Sequence, residues 1–424
     1  MLTNVFVVLR GSIVAQMISF AVLPLLARLY APEDFGHYQV FLTVLMFLVL
    51  SASLRYEMGI LSAETEEIAF ALASLCTLIN VALTILSAAT CALLYFIWPG
   101  TIARLGTGVW LLPVALLAAG SLQTVGYLLV RAHSFSIGSN AKGVQALGTS
   151  AFAYGLGILE FRSMGLVIGD VVGRLMALVF ALRKMVATDA FYRLHLPKFQ
   201  LMHQVAKRYR EYPLVSLPGS LLDAVGGSLA TVLMFGVFGA AMSGQYSLVE
   251  RSIITPVAVI AQAVSQAYLA ALSSAMRGNR IDCYALFRRI VTAHIWLGLV
   301  PAVAVFVFGR AAFEWLFGHQ WTAAGRFAQI MAPMVLVSFV SIPVNMTLLI
   351  IGKQRLQFLW YTGRVALVTV SWLGIIAFKA TPFAAAKIQV ALTVGGHVVL
   401  LAMIGWQLSR LELTRVKTES IVCE

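Results

Sequence analysis

Charge is what this chain has least of. Only 11% of its 424 residues are Asp, Glu, Lys or Arg, against 60% hydrophobic residues and a mean hydropathy of +0.90. A soluble chain of this length needs far more polar surface to cover its core, so an ordinary soluble domain is excluded. Cysteine is scarce too, with only Cys76, Cys91, Cys283 and Cys423. Cys76 and Cys91 stand ~22 Å apart along one helix, too far to bridge. No cysteine or histidine spacing resembles a metal site. There is no Asp-x-Asp pair to hold a nucleotide-sugar metal, which argues against a glycosyl-transferring enzyme. The first apolar segment lacks a basic leader and is long enough to span a membrane, so no cleaved signal peptide is expected.

What is present is a succession of apolar runs of about 20 residues, the length that crosses a bilayer. They predict an all-α integral membrane protein with twelve transmembrane helices, near 4–28, 36–54, 68–97, 108–130, 143–159, 164–183, 212–239, 245–272, 289–309, 327–351, 356–378 and 386–408. The third is the longest: Ile68 to Trp98 carries no charge, ~46 Å of helix, so it must tilt, kink or protrude. Prolines at 24, 113, 213, 218, 256, 301, 333 and 343 predict bent spans.

The net charge of +13 would suit nucleic acid, but the basic residues fall in short loops between spans. That placement points to orientation and to anionic membrane lipids, with no nucleic acid partner. Of the 30 lysines and arginines, 20 fall on the side that holds both termini, seven on the other, and Arg174, Arg251 and Arg364 within spans. The bias predicts cytoplasmic termini.

The longest polar connection, about 183–211, divides the helices six and six, giving an N-terminal lobe over 1–204 and a C-terminal lobe over 205–424. An internal echo agrees with the division. Gly11-Ser12-Ile13 matches Gly219-Ser220-Leu221, and Gly36-His37-Tyr38 matches Gly244-Gln245-Tyr246, both at an offset of 208. Six helices per copy make the repeat parallel, and carriers of that kind bind substrate in the space between their halves. The expected architecture is therefore two six-helix lobes around a central cavity.

Charge inside a span costs roughly 3 kcal/mol or more, so it is kept for a reason. Asp170 and Arg174 lie i,i+4 with the acid first, the order that suits an intrahelical pair, and are read as structural. Gly165, Gly169 and Gly173 share that helix and would let a neighbour approach closely. Arg251 presents a fork of donors that suits a diphosphate. Its alternative is neutralisation by Glu250 or Asp223. Asp223, near mid-membrane, is the candidate acid for a coupling ion, H+ or Na+. Arg10 and Arg364 lie near span ends, where they either face a cavity or snorkel to the surface. Arg55 and Glu57 end the second helix, as a gate or as an anchor. Glu64, Glu66 and Glu67 read as a solvated helix start.

Several stretches resemble a known family. Leu25-Leu-Ala-Arg-Leu-Tyr-Ala-Pro-Glu-Asp-Phe-Gly-His-Tyr38 is similar to the first outer loop of bacterial oligosaccharide flippases, and Arg55-Tyr56-Glu57 to the motif ending their second helix. Tyr209-Arg-Glu-Tyr-Pro-Leu-Val-Ser-Leu-Pro218 and Tyr246-Ser-Leu-Val-Glu-Arg251 resemble their seventh and eighth helices. The likeness is to Wzx-type O-antigen and exopolysaccharide flippases of the multidrug/oligosaccharidyl-lipid/polysaccharide (MOP) superfamily. It implies a carrier in the bacterial cytoplasmic membrane that moves polyprenyl-diphosphate-linked oligosaccharide outward for O-antigen, capsule or exopolysaccharide synthesis. It also implies a cationic cavity faced by helices 1, 2, 7 and 8, which makes Arg251 the leading candidate diphosphate contact, with Arg10 of helix 1 and Arg364 of helix 11 as further candidates. No cofactor is expected. A polysaccharide polymerase and a chain-length regulator are the protein partners to look for. A drug or cation antiporter of the same superfamily is the main alternative, and a membrane polymerase or ligase the weaker one.

Overall fold

The computed structural model describes residues 2–187, 198–276 and 282–422, with side chains throughout these except at 2–10, 101–103 and 412–422. Among the described residues the chain is helical with no strand. Ten segments are long and apolar enough to cross a membrane. One of them, Tyr212–Met276, runs for 65 residues and accommodates two crossings. The helix Phe135–Ile158 is less apolar, because Ser, Asn, Lys and Gln interrupt it, and completes the twelve.

The N-terminal helices are α1 (Leu2–Leu29), α2 (Pro32–Ser51), α3 (Glu66–Ile97), α4 (Leu112–Arg131), α5 (Phe135–Ile158) and α6 (Arg162–Val186). A short amphipathic helix, Phe199–Arg208, follows the linker. Next, α7 and the start of α8 share the run Leu217–Val249, broken at Gly239 with φ 85° and ψ 175°. The Ser243 hydroxyl lies 3.5 Å from the Thr231 carbonyl, where an unbroken helix would hold them ~18 Å apart, so the chain folds back at Gly239. Only glycine takes that φ cheaply. The remainder of α8 ends with Thr255–Met276, and α9 (Cys283–Phe317), α10 (Thr322–Ser341), α11 (Gln354–Ala377) and α12 (Pro382–Val422) complete the set. The long third span is a continuous helix of 32 residues, started by the Thr65 hydroxyl accepting from the Ile68 amide.

By internal packing the chain separates into two compact units, Met1–Gly244 and Gln245–Glu424. The boundary falls forty residues beyond the linker that divides the sequence at 204/205, because α7 packs with the first unit. The reason is visible at the paired glycines of the internal echo. A Cβ on Gly36 would stand 2.0 Å from the Ala240 carbonyl oxygen, and one on Gly244 would stand 1.7 Å from that of Pro32 and 2.9 Å from the Gly36 amide. The obstacles are backbone, which cannot swing aside. Gly244→Ala is therefore expected to lower stability by about 1–3 kcal/mol, the usual penalty of overpacking. Thermal unfolding in detergent checks this, and an unchanged midpoint would contradict the close approach.

The outer-loop motif is explained by its anchors. Tyr30 donates 2.6 Å to the Ala153 carbonyl and fits a notch that side chains on Gly157 and Gly165 would fill. Burial, with Asp34 nearby, pushes the Tyr30 phenol up to about 12, so it remains a donor. Pro32 opens α2, and the Asp34 carboxylate accepts from the Ala31 amide at 3.0 Å, capping the helix. Gly169 and Gly173 meet α5 at Ala153 and Thr149, the close approach their spacing predicts.

In the second unit, Gln245 performs the matching task for the α9–α10 turn. Its side chain donates 2.6 Å to the Gln320 carbonyl and accepts 2.8 Å from the Ala324 amide. Tyr246 packs edge-on to Phe327 at 5.7 Å.

Candidate functional site

A buried polar cluster in the first unit stands where α2 ends. The chain turns there through Leu54 (φ 49°) and Arg55 (φ 66°), left-handed conformations that cost a residue with a Cβ about 1 kcal/mol or more. The turn drives Glu57 inward until it is 0% exposed. Three groups satisfy its carboxylate. The Ser53 hydroxyl donates to Oε2. The Gln123 amide of α4 donates 2.8 Å to Oε1. The Arg55 guanidinium lies 3.6 Å from Oε1. Arg55 is 19% exposed, and its buried Nε has no hydrogen-bond acceptor among the described residues. The acid is thus fully partnered while the base keeps an unused donor.

The surrounding loop is clamped on several sides. Arg131 donates to the carbonyls of Ile60 and Ala63, each at 2.8 Å, and pairs with Glu66 at 3.0 Å. Glu64 pairs with Arg208 at 2.5 Å. These acids are exposed, as a solvated helix start requires, yet two of the three tie α3 to its neighbours. The Tyr56 hydroxyl donates 3.1 Å to the Ala206 carbonyl, and burial raises its phenol above the ordinary value. Tyr209 and Tyr212 stack at 6.2 Å beside Gly59. The short helix Phe199–Arg208 thereby holds the end of α2 from one side.

Asp170 and Arg174 form the predicted pair on α6, with two parallel contacts of 2.6 and 3.1 Å. The fork geometry occupies both carboxylate oxygens, so the pair neutralises itself within one helix.

The segments singled out around Pro213 and Arg251 share an unusual feature. Tyr212–Ser216 and Glu250–Ile254 are π-helical turns, each ending two residues before a proline, Pro218 and Pro256. Proline clashes with the carbonyl four residues back, and a widened turn relieves the clash. Such turns recur at functional sites because they re-aim side chains. Glu250 and Arg251 open the second turn and are half-buried, as is Asp223 on α7.

Arg364 lines a cavity of about 490 Å³ between α11 and α12. Its guanidinium lies 5.6 Å from the centre of the Trp360 ring, whose indole N–H donates 2.8 Å to the Gly396 carbonyl. His397 meets the same ring edge-on at 5.6 Å. Arg10 is helical, but its side chain lies outside the described residues, as do those of Arg415 and Lys417. Arg193 of the basic linker, Arg277, Arg280 and Cys423 also lie outside them.

The structure thus joins Arg55 to Glu57 and Asp170 to Arg174, and puts Glu250 and Arg251 on one turn. Sequence reasoning missed Gln123, Ser53 and Trp360 as partners. Gln123 carried a usable signal, a lone amide in an apolar span, where polar groups must find partners.

Among the described residues, the run of long apolar helices with charges held inside them defines a polytopic membrane protein. The chain belongs to the polysaccharide biosynthesis protein family, whose pattern matches residues 25–326. Among curated proteins none matches the chain. Its fold is similar to that of a multidrug resistance MATE family transporter of the MOP superfamily in an inward-facing conformation. The TM-score is 0.66 at 12% identity, over 96% of this chain and 99% of that one. The lipid II flippase MurJ, in an inward closed conformation, matches with a TM-score of 0.68 at 11% identity, over 97% and 92%. A MOP superfamily transporter from Pyrococcus furiosus matches with 0.65 at 14%, over 96% and 97%. The fold is that of MOP superfamily transporters.

Proposed function

We propose that this protein is a flippase. It carries polyprenyl-diphosphate-linked oligosaccharide from the cytoplasmic to the outer leaflet of a bacterial cytoplasmic membrane, for O-antigen, capsule or exopolysaccharide synthesis. The observation that carries the reading is the Arg251 guanidinium, half-buried on a π-helical turn within an apolar segment of a polysaccharide biosynthesis family member. An unpaired diphosphate in hydrocarbon costs many kcal/mol, and arginine offsets that cost with paired, directional donors. Arg364 and Arg10 are secondary contacts in this scheme, and the polyprenyl tail stays in lipid while the headgroup crosses.

The carrier works by alternating access, with both termini cytoplasmic. With the cell interior negative, moving about two negative charges outward gains ~4–5 kcal/mol per 100 mV. H+ or Na+ exchange at Asp223, with Glu250 beside Arg251, is the candidate additional drive. Arg55 and Glu57 act as the inner gate, alternately paired and released.

The antiporter reading rests on the MATE likeness, which is as strong in fold as the likeness to the flippase. Purified protein in vesicles separates the two. A labelled polyprenyl-diphosphate oligosaccharide should become accessible to an external glycosidase faster than in protein-free vesicles. No acceleration, together with uphill movement of a lipophilic cation, would replace the flippase by the antiporter.

A further inference from the structure

The second unit holds another cavity, of about 590 Å³, between α9, α10 and α12. That is the size of a ligand site, which runs from about 300 to 1,000 Å³. Two cations line it, Arg326 one turn into α10 and Lys387 one turn into α12. Both helices begin at this end, so their N-terminal dipoles add to the positive field. Neither cation has a carboxylate partner among the described residues, and no acid lines the cavity. Arg326 is held against the wall by the Phe383 ring, 4.3 Å from its centre. The Gln329 amide donates 2.9 Å to the Phe306 carbonyl and pins α10 to α9. Deeper in, the lining is apolar, with Phe306, Ile330 and Val394.

This pairing of cations with an apolar trough complements a lipid that carries a phosphate and an acyl chain. We infer that the cavity binds an anionic phospholipid, its phosphodiester between Arg326 and Lys387 and an acyl chain along Phe306, Ile330 and Val394. Arg174 is neutralised by Asp170 on its own helix, whereas Arg326 and Lys387 are both exposed near the start of their helices, where a headgroup phosphate can reach them. Its lining includes neither Arg251 nor Arg364 and shares only Ala391 with the Arg364 cavity, and it stands whether or not the carried substrate is an oligosaccharide lipid.

Native mass spectrometry of the full chain in detergent tests it, with phosphatidylglycerol or phosphatidylcholine of matched acyl chains added. Wild type should retain one phosphatidylglycerol over phosphatidylcholine by roughly tenfold, the scale expected of two cations near a headgroup. R326Q/K387Q should lose that preference. Ile330→Trp leaves both cations and fills the trough, and it too should release the lipid, which keeps the test decisive if the double variant does not fold. Equal retention of the two lipids by wild type, or undiminished retention by Ile330→Trp, overturns the assignment. So does displacement by millimolar inorganic phosphate, which would mean that the chain contributes nothing. Polyprenyl phosphate outcompeting phosphatidylglycerol tenfold would give the site to the transported lipid instead, and would equally end the proposal.

Discussion

Arg251→Gln is expected to cut flipping of the oligosaccharide lipid roughly a hundredfold, the loss of about two charge-assisted hydrogen bonds to a diphosphate. Cells carrying it should lack surface polysaccharide and accumulate the lipid-linked precursor, while the protein remains in the membrane at normal abundance. The π-helical turn supports that last expectation. Pro256 imposes the turn, and glutamine at 251 leaves the proline untouched. Arg251→Lys separates charge from geometry, since lysine keeps the charge but loses the planar fork. It should restore only part of the activity. Normal polymer in the glutamine variant would remove Arg251 from the mechanism and leave it as a partner for neighbouring acids.

The second large effect is expected at Glu57. Its carboxylate is fully buried and takes hydrogen bonds from Ser53 and Gln123 beside Arg55. Glu57→Ala strands the Arg55 guanidinium and two donors, a loss of about 3 kcal/mol or more for a broken buried pair. Removing the arginine as well, in R55M/E57A, should recover part of that loss, because no buried charge is then left unpaired. Thermal unfolding of the two singles and the double gives the coupling directly. Additive losses would show that Arg55 and Glu57 do not interact, and the gate would have no physical basis. A coupled pair whose variants flip at the wild-type rate would make it an anchor instead.

Much of the fold is legible in composition and spacing alone. A span must be about 20 apolar residues long, because hydrocarbon offers no partner for exposed backbone, and that rule places the twelve helices, although α5 starts earlier and α9 and α12 run on beyond the predicted ends. The Asp170–Arg174 pair is equally local. Four residues along a helix fix the geometry, and the structure returns the pairing that the spacing implies. The glycines of α6 are legible for the same reason.

The Glu57 cluster was legible only in part, since the motif named Arg55 and Glu57 but not their geometry or their partners. Arg55 and Glu57 stand two apart, a spacing that no regular helix brings together, and the left-handed turn at Leu54 and Arg55 leaves no sequence signature. Gln123 arrives from α4, 66 residues away. The unit boundary at Gly244 was hidden likewise. A polar linker marks where the chain is exposed, whereas contact between Gly36 and the Ala240–Gly244 turn depends on which helices meet. The sequence by itself determined the membrane environment, the number of crossings and the residues whose charge is costly to bury, because each depends on local transfer energies. Tertiary structure alone decided how the carboxylate of Glu57 is satisfied, by Ser53, Gln123 and Arg55, because such partnering depends on distances between helices that no local pattern encodes.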